Sequence, residues 1–351
     1  MLSRAKTFTP IPHDQPLPHR KILREWLKPF SNHSTSHALA LLLLDFSLLL
    51  VALLGAVLLQ AVWAKCLAGM AAGFVIGRLF ILGHDACHHS LTSNRALNRW
   101  LGRLAFLPSL TPYSLWEVGH NVIHHGYTNL KGVDFVWQPL SVQEYEALGR
   151  GEKIMYRLYR SGWAPGLYYL IELWWKRMFF PSAKYMPTRR MIFIADSLLT
   201  AIFGLAWVCI MIGAALLTQQ SIAVVLLAGV IIPFLFWVSM IGFVVYVHHT
   251  HVQVQWHEDK SQWAAAQPFV STTVHLTFPF KLGAIMHNIM EHTAHHVDMS
   301  VPLYHLQAAQ TKLEDLLPHR IVVQPFSWRW YFQTAHQCKL YDFQQQSWKH
   351  F

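Results

Sequence analysis

Two long stretches of the chain are almost entirely apolar, and polar segments flank and separate them. The first apolar stretch covers residues 38–83 and the second covers residues 191–247. A helix needs about 20 apolar residues to cross the hydrocarbon core of a bilayer, so each stretch is long enough for two crossings. The pattern therefore predicts an all-α integral membrane protein with four transmembrane helices arranged as two hairpins.

The two predicted hairpins divide the chain into five segments, namely 1–37, 38–83, 84–190, 191–247 and 248–351. Of the 28 Lys and Arg residues, 26 lie in the three polar segments; the others are Lys65, in an outer loop, and Arg78, inside a span. Basic residues near spans mark the cytoplasmic face of a membrane. We therefore expect both termini and a helical cap to be cytoplasmic, with a bacterial inner membrane as the location.

Composition supports a membrane rather than a nucleic acid as the main partner of this chain. Hydrophobic residues make up 53% of it and charged residues only 13%, against about a quarter charged in soluble domains. The net charge of +10 lies beside the spans, where it suits anionic lipid headgroups. Two aromatic-rich stretches, 107–116 and 166–180, are too short to cross and are expected to lie in the interface. The four cysteines show no paired spacing, so we expect no disulfide framework.

Three charged residues fall inside the predicted spans, all near the cytoplasmic end. They are Asp45, Arg78 and Asp196. Charges within a membrane are costly and tend to pair or to face a polar interior. We expect Arg78 to pair with Asp45 or Asp196; the alternative is that it extends to the cytoplasmic surface.

The histidines are concentrated directly after the two hairpins. Of 23 histidines, six lie in residues 84–125 and nine in residues 248–296. Three clusters have regular spacing, namely HDACHH (His84, His88, His89), HNVIHH (His120, His124, His125) and HTAHH (His292, His295, His296). Residues i, i+3 and i+4 share one face of a helix, so His84 with His88, and His120 with His124, should project together. The doubled histidine adds an imidazole about 100° further round.

This density of imidazole predicts a metal site. A zinc site closes with four ligands, whereas nine nitrogen donors suit two iron ions with four or five ligands each. Neutral histidines leave the charge of the ions uncompensated, so carboxylates should accept hydrogen bonds from the other ring nitrogens. The candidates are Asp85, Glu117, Asp134, Glu291 and Asp298, and ordinary solvated charge is the alternative for each of them.

These motifs, in this order, resemble the membrane fatty acid desaturase family, and most of all its acyl-lipid Δ12/ω-6 and ω-3 branch. The resemblance rests on the three histidine clusters, on HHTHVQVQW after the second hairpin, and more weakly on LREWLKPF near the N-terminus. It implies one desaturase domain over residues 38–325 and a di-iron centre that uses O2 and two electrons to introduce a double bond into a fatty acyl lipid. The implied ligands are the nine clustered histidines, together with His249 or His251 from the end of the fourth span.

The resemblance also implies an external electron donor, either ferredoxin or a cytochrome b5 type protein. Two spacings depart from the family pattern, because HNVIHH has three residues before the doubled histidine instead of two, and His287 stands one residue closer to His292. The role of His287 therefore stays open. Candidate walls for an acyl tunnel, with core packing as the alternative, are Phe106, Tyr113, Trp116 and Trp137.

Two other classes of function remain compatible with the sequence. Related di-iron membrane hydroxylases and ketolases act on alkanes or carotenoids and insert oxygen instead of forming an alkene. A non-catalytic metal-binding or transport protein is disfavoured, because the histidines sit at the span exits and transporter sites lie near the midplane. Neither the position of the double bond, nor the acyl carrier, nor the oligomeric state follows from the sequence.

Overall fold

The computed structural model describes residues 8–12, 14–179, 181 and 190–351, and these residues are mostly helical. Parts of the N-terminal segment and the last residue of the stretch 166–180 lie outside the described residues. The chain forms two compact units. The span unit comprises residues 33–126 and 149–246, and the terminal unit comprises residues 1–32, 127–148 and 247–351.

Four helices are long and apolar enough to cross a membrane, as the sequence predicted. Spans 1 to 4 are Thr35–Leu58, Val62–Cys87, Met191–Leu217 and Ile222–His249. Spans 2 and 4 continue past their predicted ends, into the stretches where the histidines begin. His84 and His249 therefore lie within the last turn or so of a span helix.

The rest of the span unit consists of short helices. The α-helices are Arg95–Phe106, Tyr113–Glu117, Arg150–Tyr159 and Pro165–Tyr168. Leu107–Ser109 is a 3₁₀ turn, and the chain widens into π-helix at Val118–His124, Tyr169–Phe179 and, within span 4, Leu227–Ile231. The stretch 166–180, expected as an interfacial helix, is thus helical over its described residues.

Glycines let spans 2 and 4 approach closely. A Cβ added to Gly73 would lie 2.6 Å from the Cβ of Phe236, and one added to Gly69 would collide with the carbonyl of Ala228. Small residues are the usual means by which membrane helices pack backbone against backbone. Span 2 is consequently held firmly along the stretch that leads to His84.

The terminal unit also contains short strands, which the all-α expectation omitted. Its helices are Arg20–Leu27, Val142–Ala147, Lys260–Ala266, Leu282–Ile285, His292–Val297, Leu306–Leu316 and Trp328–Gln337, with 3₁₀ turns at Lys28–Phe30, Pro279–Lys281 and Leu303–His305. Val274–Thr277 pairs in parallel with Val322–Pro325, and Leu340–Asp342 pairs antiparallel with Ser347–Lys349. Strands of three or four residues are too short for an alternating pattern to be recognised in the sequence.

The charges inside the spans are paired. Arg78 Nη2 lies 2.7 Å from Asp45 Oδ1, and Nε donates to the same oxygen at 2.9 Å. Asp196 instead binds Arg103, whose Nε lies 2.7 Å from Oδ1, and accepts the amide of Ser114 at 2.9 Å. Of the two partners expected for Arg78, Asp45 is therefore the one that pairs with it in the structure.

Removing one member of the Arg78–Asp45 pair should destabilise the chain. We expect Arg78→Met to cost about 3–5 kcal/mol, because it leaves the buried Asp45 carboxylate without its cation. The double variant Asp45→Leu/Arg78→Met should recover most of that loss. Thermal unfolding of the purified protein in detergent measures both, with exposed Arg95→Met as the control. Single and double variants of equal stability would contradict the pairing.

Candidate functional site

Four histidines of the span unit bring their Nε2 atoms together in one cluster. Cluster A comprises His84, His88, His120 and His125, with one ring nitrogen from each within 4.8 Å of the others. His84 Nε2 lies 3.0 Å from His120 Nε2 and 3.3 Å from His88 Nε2. His120 Nε2 lies 3.0 Å from His125 Nε2. Histidines of the first two predicted motifs thus lie together, as expected from the position of both motifs after the first predicted hairpin.

The π-helix at Val118–His124 decides which histidines of the second motif face cluster A. The amide of His125 donates to the carbonyl of His120 at 2.9 Å, a bond that spans five residues instead of four. In a π-helix residues i and i+5 share a face. The expectation that His120 and His124 project together was therefore wrong, because it assumed α-helical rotation. HNVIHH has one residue more before its doubled histidine than the family pattern, and the wider turn of the π-helix accommodates that residue.

A second cluster forms within the terminal unit. Cluster B comprises His249, at the end of span 4, with His292 and His296 from the helix His292–Val297, which we call the ligand helix. His292 Nε2 lies 3.1 Å from His249 Nε2 and 3.1 Å from His296 Nε2. All three side chains are buried. The sequence left the choice between His249 and His251 open. In the structure His249 belongs to cluster B, whereas His251 Nε2 lies 3.4 Å from Gln324 Oε1.

Hydrogen bonds on the far side of two rings determine which nitrogen faces each cluster. His84 Nδ1 lies 3.3 Å from Asp85 Oδ1, and His249 Nδ1 lies 3.2 Å from the carbonyl oxygen of Thr272. Both partners can only accept, so Nδ1 carries the proton of a neutral ring and Nε2 presents a lone pair. Such partners are typical of metal-binding histidines.

The clusters fit a metal ion. Two imidazole nitrogens bound at right angles to one ion, each about 2.1 Å from it, are about 3.0 Å apart. The Nε2 separations of 3.0–3.3 Å in cluster A and 3.1 Å in cluster B match that spacing. Lone pairs that converge at this distance repel one another unless a cation lies between them.

Burial favours the metal-binding form of two of these imidazoles. Burial lowers the pKa of His88 well below its usual value, and the neighbouring His84 and His89 lower it further. Burial likewise lowers the pKa of His292, and the other histidines around it act in the same direction. A ring that is neutral at pH 7 binds metal without first losing a proton.

The remaining predicted histidines fall into two groups, because His124 and His295 are buried beside cluster members and His89 and His287 are not part of either cluster. His124 and His295 are buried, 1% and 0% exposed, with ring centroids 5.3 Å from His125 and 5.5 Å from His292 respectively. His89 takes a left-handed backbone conformation, with φ of 58°, and its Nε2 lies 3.6 Å from Glu117 Oε1 instead of turning into cluster A. His287 is buried but lies outside both clusters.

Three of the five carboxylates proposed as supports differ in what they contact. Asp85 is buried and faces His84, as expected of a supporting carboxylate. Glu117 lies beside His89, outside cluster A. Glu291 precedes the ligand helix, and its Oε2 has no hydrogen-bond partner among the described residues; burial raises the pKa of this carboxyl group.

Sequence reasoning missed two rings that stack on cluster members. Trp116, considered only as a tunnel wall, stacks on His120 with 4.0 Å between ring centroids, and His248 stacks on His292 at 3.9 Å. The doubled HH at the end of span 4 was a signal for His248, but one histidine of that stretch was sought as a ligand. Both rings restrict the orientation of the imidazole beneath them.

Comparison with known proteins agrees with this geometry. The family model described as fatty acid desaturase matches residues 61–328, well over half of the chain and inclusive of all three histidine motifs. The chain belongs to the fatty acid desaturase family. Membership of this family indicates a membrane oxidoreductase that acts on acyl lipids, and the two histidine clusters fit a metal cofactor.

Its relatives include several acyl-lipid desaturases of cyanobacteria. The sn-1 oleoyl-lipid 12-desaturase of Arthrospira platensis is 31% identical over 246 residues, which are 67% of this chain and 64% of that protein. The enzyme of the same name from Synechocystis is 26% identical over 96% of this chain and 93% of its own length. The Synechocystis sn-1 acyl-lipid omega-3 desaturase (ferredoxin) is 29% identical over 76% of this chain and 72% of its own.

Shortening the π-helix by one residue should preserve cluster A. The side chain of Val122 is 58% exposed. Deleting this residue would leave His125 four residues after His120, so that the two imidazoles share one face of an α-helix. We expect this variant to retain metal binding and activity. Deleting Leu104 from the regular helix Arg95–Phe106 is the control and should destabilise the protein by rotating the residues that follow. Loss of metal in the Val122 deletion alone would contradict this account.

Proposed function

We propose that this chain is an O2-dependent acyl-lipid desaturase of Δ12/ω-6 or ω-3 type that holds one iron ion in cluster A and one in cluster B. The observation that carries the proposal is the convergence of imidazole nitrogens, most of them buried, at the spacing of metal ligands. Burial lowers the pKa of His88 and of His292, which favours the neutral form of these two rings. The relatives support the acyl-lipid substrate, since two of them act on oleoyl lipids and one is an omega-3 enzyme.

The proposed ligands are the residues whose side chains form the clusters, together with two further buried histidines. They are His84, His88, His120 and His125 in cluster A, His249, His292 and His296 in cluster B, and additionally His124 and His295. Imidazole donors suit iron, and no thiolate is needed. We propose supporting roles for Asp85 and for the Thr272 carbonyl, which fix the proton of His84 and His249 on Nδ1.

The proposed reaction removes two hydrogens from adjacent methylenes, while O2 takes up two electrons and two further protons to leave water. A methylene has neither an acidic proton nor an electrophilic carbon, so acid–base or nucleophilic side chains cannot activate it. Bound iron would supply the O2 chemistry and the hydrogen abstraction. The protein holds the ligands rigid, through rings such as Trp116 stacked on His120, and keeps the surroundings apolar with Phe80 and Phe106.

Charge asymmetry supports a proposed orientation. With 26 of 28 basic residues in the three polar segments, both termini and the histidine clusters would be cytoplasmic, in the inner membrane of a bacterium. Electrons would come from a separate carrier, ferredoxin or a b5-type protein; one relative carries ferredoxin in its name. We propose that residues 38–325 act as a single catalytic domain.

Expression in a host rich in oleate tests the activity. Fatty acid profiles by gas chromatography and mass spectrometry should show a new diene or triene without added oxygen, and derivatisation locates its double bonds. A product that gains oxygen would indicate a hydroxylase or ketolase and overturn the proposal.

Ligand substitutions should remove both metal and product. We expect His88→Ala and His292→Ala each to lower product at least about 100-fold, since even outer partners of metal ligands are worth about 10- to 100-fold. Iron content of the purified protein should fall in parallel. Exposed His336→Ala is the control. If both variants kept full activity and iron, the ligand assignment would be wrong.

Reporter fusions test the orientation. Green fluorescent protein at the C-terminus should fluoresce, and alkaline phosphatase should be active when inserted in either short loop within a hairpin, near residue 60 or near residue 220. The reverse pattern would place the termini outside.

A further inference from the structure

The ligand helix is too short to be stable on its own. His292–Val297 has six residues, whereas isolated helices below about 12–15 residues are marginal in water. It nevertheless carries two members of cluster B, His292 and His296. Its geometry must therefore be imposed by contacts from outside the helix.

The first half of the ligand helix is held by side chains of the terminal unit. Ala294 donates its amide to Gln310 Oε1 at 2.8 Å, and Gln310 is buried in the helix Leu306–Leu316. The hydroxyls of Thr293 and Thr273 lie 3.0 Å apart. These contacts secure the start of the helix and leave its last turn to other partners.

The last turn is held by the N-terminal helix Arg20–Leu27. The final carbonyls of any helix lack partners within the helix. Here Asp298 donates its amide to the carbonyl of Ala294 at 3.0 Å. Arg20 donates Nη2 to the carbonyl of His296 at 2.6 Å and Nε to that of Val297 at 3.1 Å, so one guanidinium spans the helix end.

Arg20 is fixed on its other sides as well. Its guanidinium carbon lies 4.4 Å from the ring centroid of Phe269. Arg24 adds a second donor to the carbonyl of Val297 at 3.3 Å, and its Nε lies 3.7 Å from Asp298 Oδ1. Positive charge at a helix C-terminus is favourable in itself, because the free carbonyls there carry partial negative charge.

We propose that Arg20 is a positioning residue for cluster B, which clamps the end of the ligand helix through the carbonyls of His296 and Val297 so that the imidazole of His296 keeps its metal-binding orientation. This rests on the proposed function, because it takes His296 as a metal ligand. The two planar N–H donors of arginine are essential to it, since lysine offers a point charge and cannot span both carbonyls in the same way.

Anaerobic titration of metal-free protein in detergent with Fe2+ tests the proposal. The wild-type chain should bind Fe2+ in both clusters. In Arg20→Met, one phase of the binding isotherm should weaken about 10- to 100-fold while the other is unchanged. Amide hydrogen exchange should rise at residues 295–298 in the same variant. Exposed Lys21→Met, on the same helix, should behave like the wild type.

The conservative variant separates positioning from general folding. Arg20→Lys should fold and bind Fe2+ in the affected phase with an affinity between those of wild type and Arg20→Met. If Arg20→Met does not fold, Arg20→Lys decides alone, and wild-type affinity in it would overturn the proposal. Unchanged affinity in Arg20→Met would also overturn it. A wild-type chain that binds no Fe2+ would instead refute the proposed function.

Discussion

The close approach of several imidazole nitrogens is the constraint on which the rest of this structure depends. Seven Nε2 atoms are directed into two small volumes, and burial keeps at least His88 and His292 uncharged. Where two such nitrogens both present a lone pair they repel each other, so the rings need rigid neighbours to hold them in place. The tight contact of span 2 with span 4, and the rings stacked on His120 and His292, serve that purpose.

The segments that carry the histidines are weak as isolated structures. One is the last turn of a long helix, one is a π-helix, and one is a helix of six residues. Other residues hold their rings and ends in place: Asp85 contacts His84, Trp116 stacks on His120, and Gln310 and Arg20 contact the two ends of the ligand helix. The order of the site therefore depends on these neighbours and does not reside in the histidines alone.

The features that depend on composition or long periodicity were predictable from the sequence. The four spans follow from apolar length, and the grouping of histidines follows from their position after the spans. Features that depend on long-range contacts were not. Asp196 pairs with Arg103, which precedes it by 93 residues in the sequence. Arg103 lies outside the four spans, whereas only charges inside them were considered from the sequence. His89 leaves cluster A because its backbone is left-handed, which no helical spacing rule anticipates.

The π-helix has a consequence for how such proteins are recognised. A search that requires two residues between the first histidine and the doubled pair would pass over HNVIHH. The two-residue and the three-residue pattern share the direction in which the imidazoles project from the helix axis. A chain with one additional residue keeps that direction when a single turn widens into π-helix. Metal-binding motifs of this kind are therefore better written as directions around a helix axis than as fixed counts of letters.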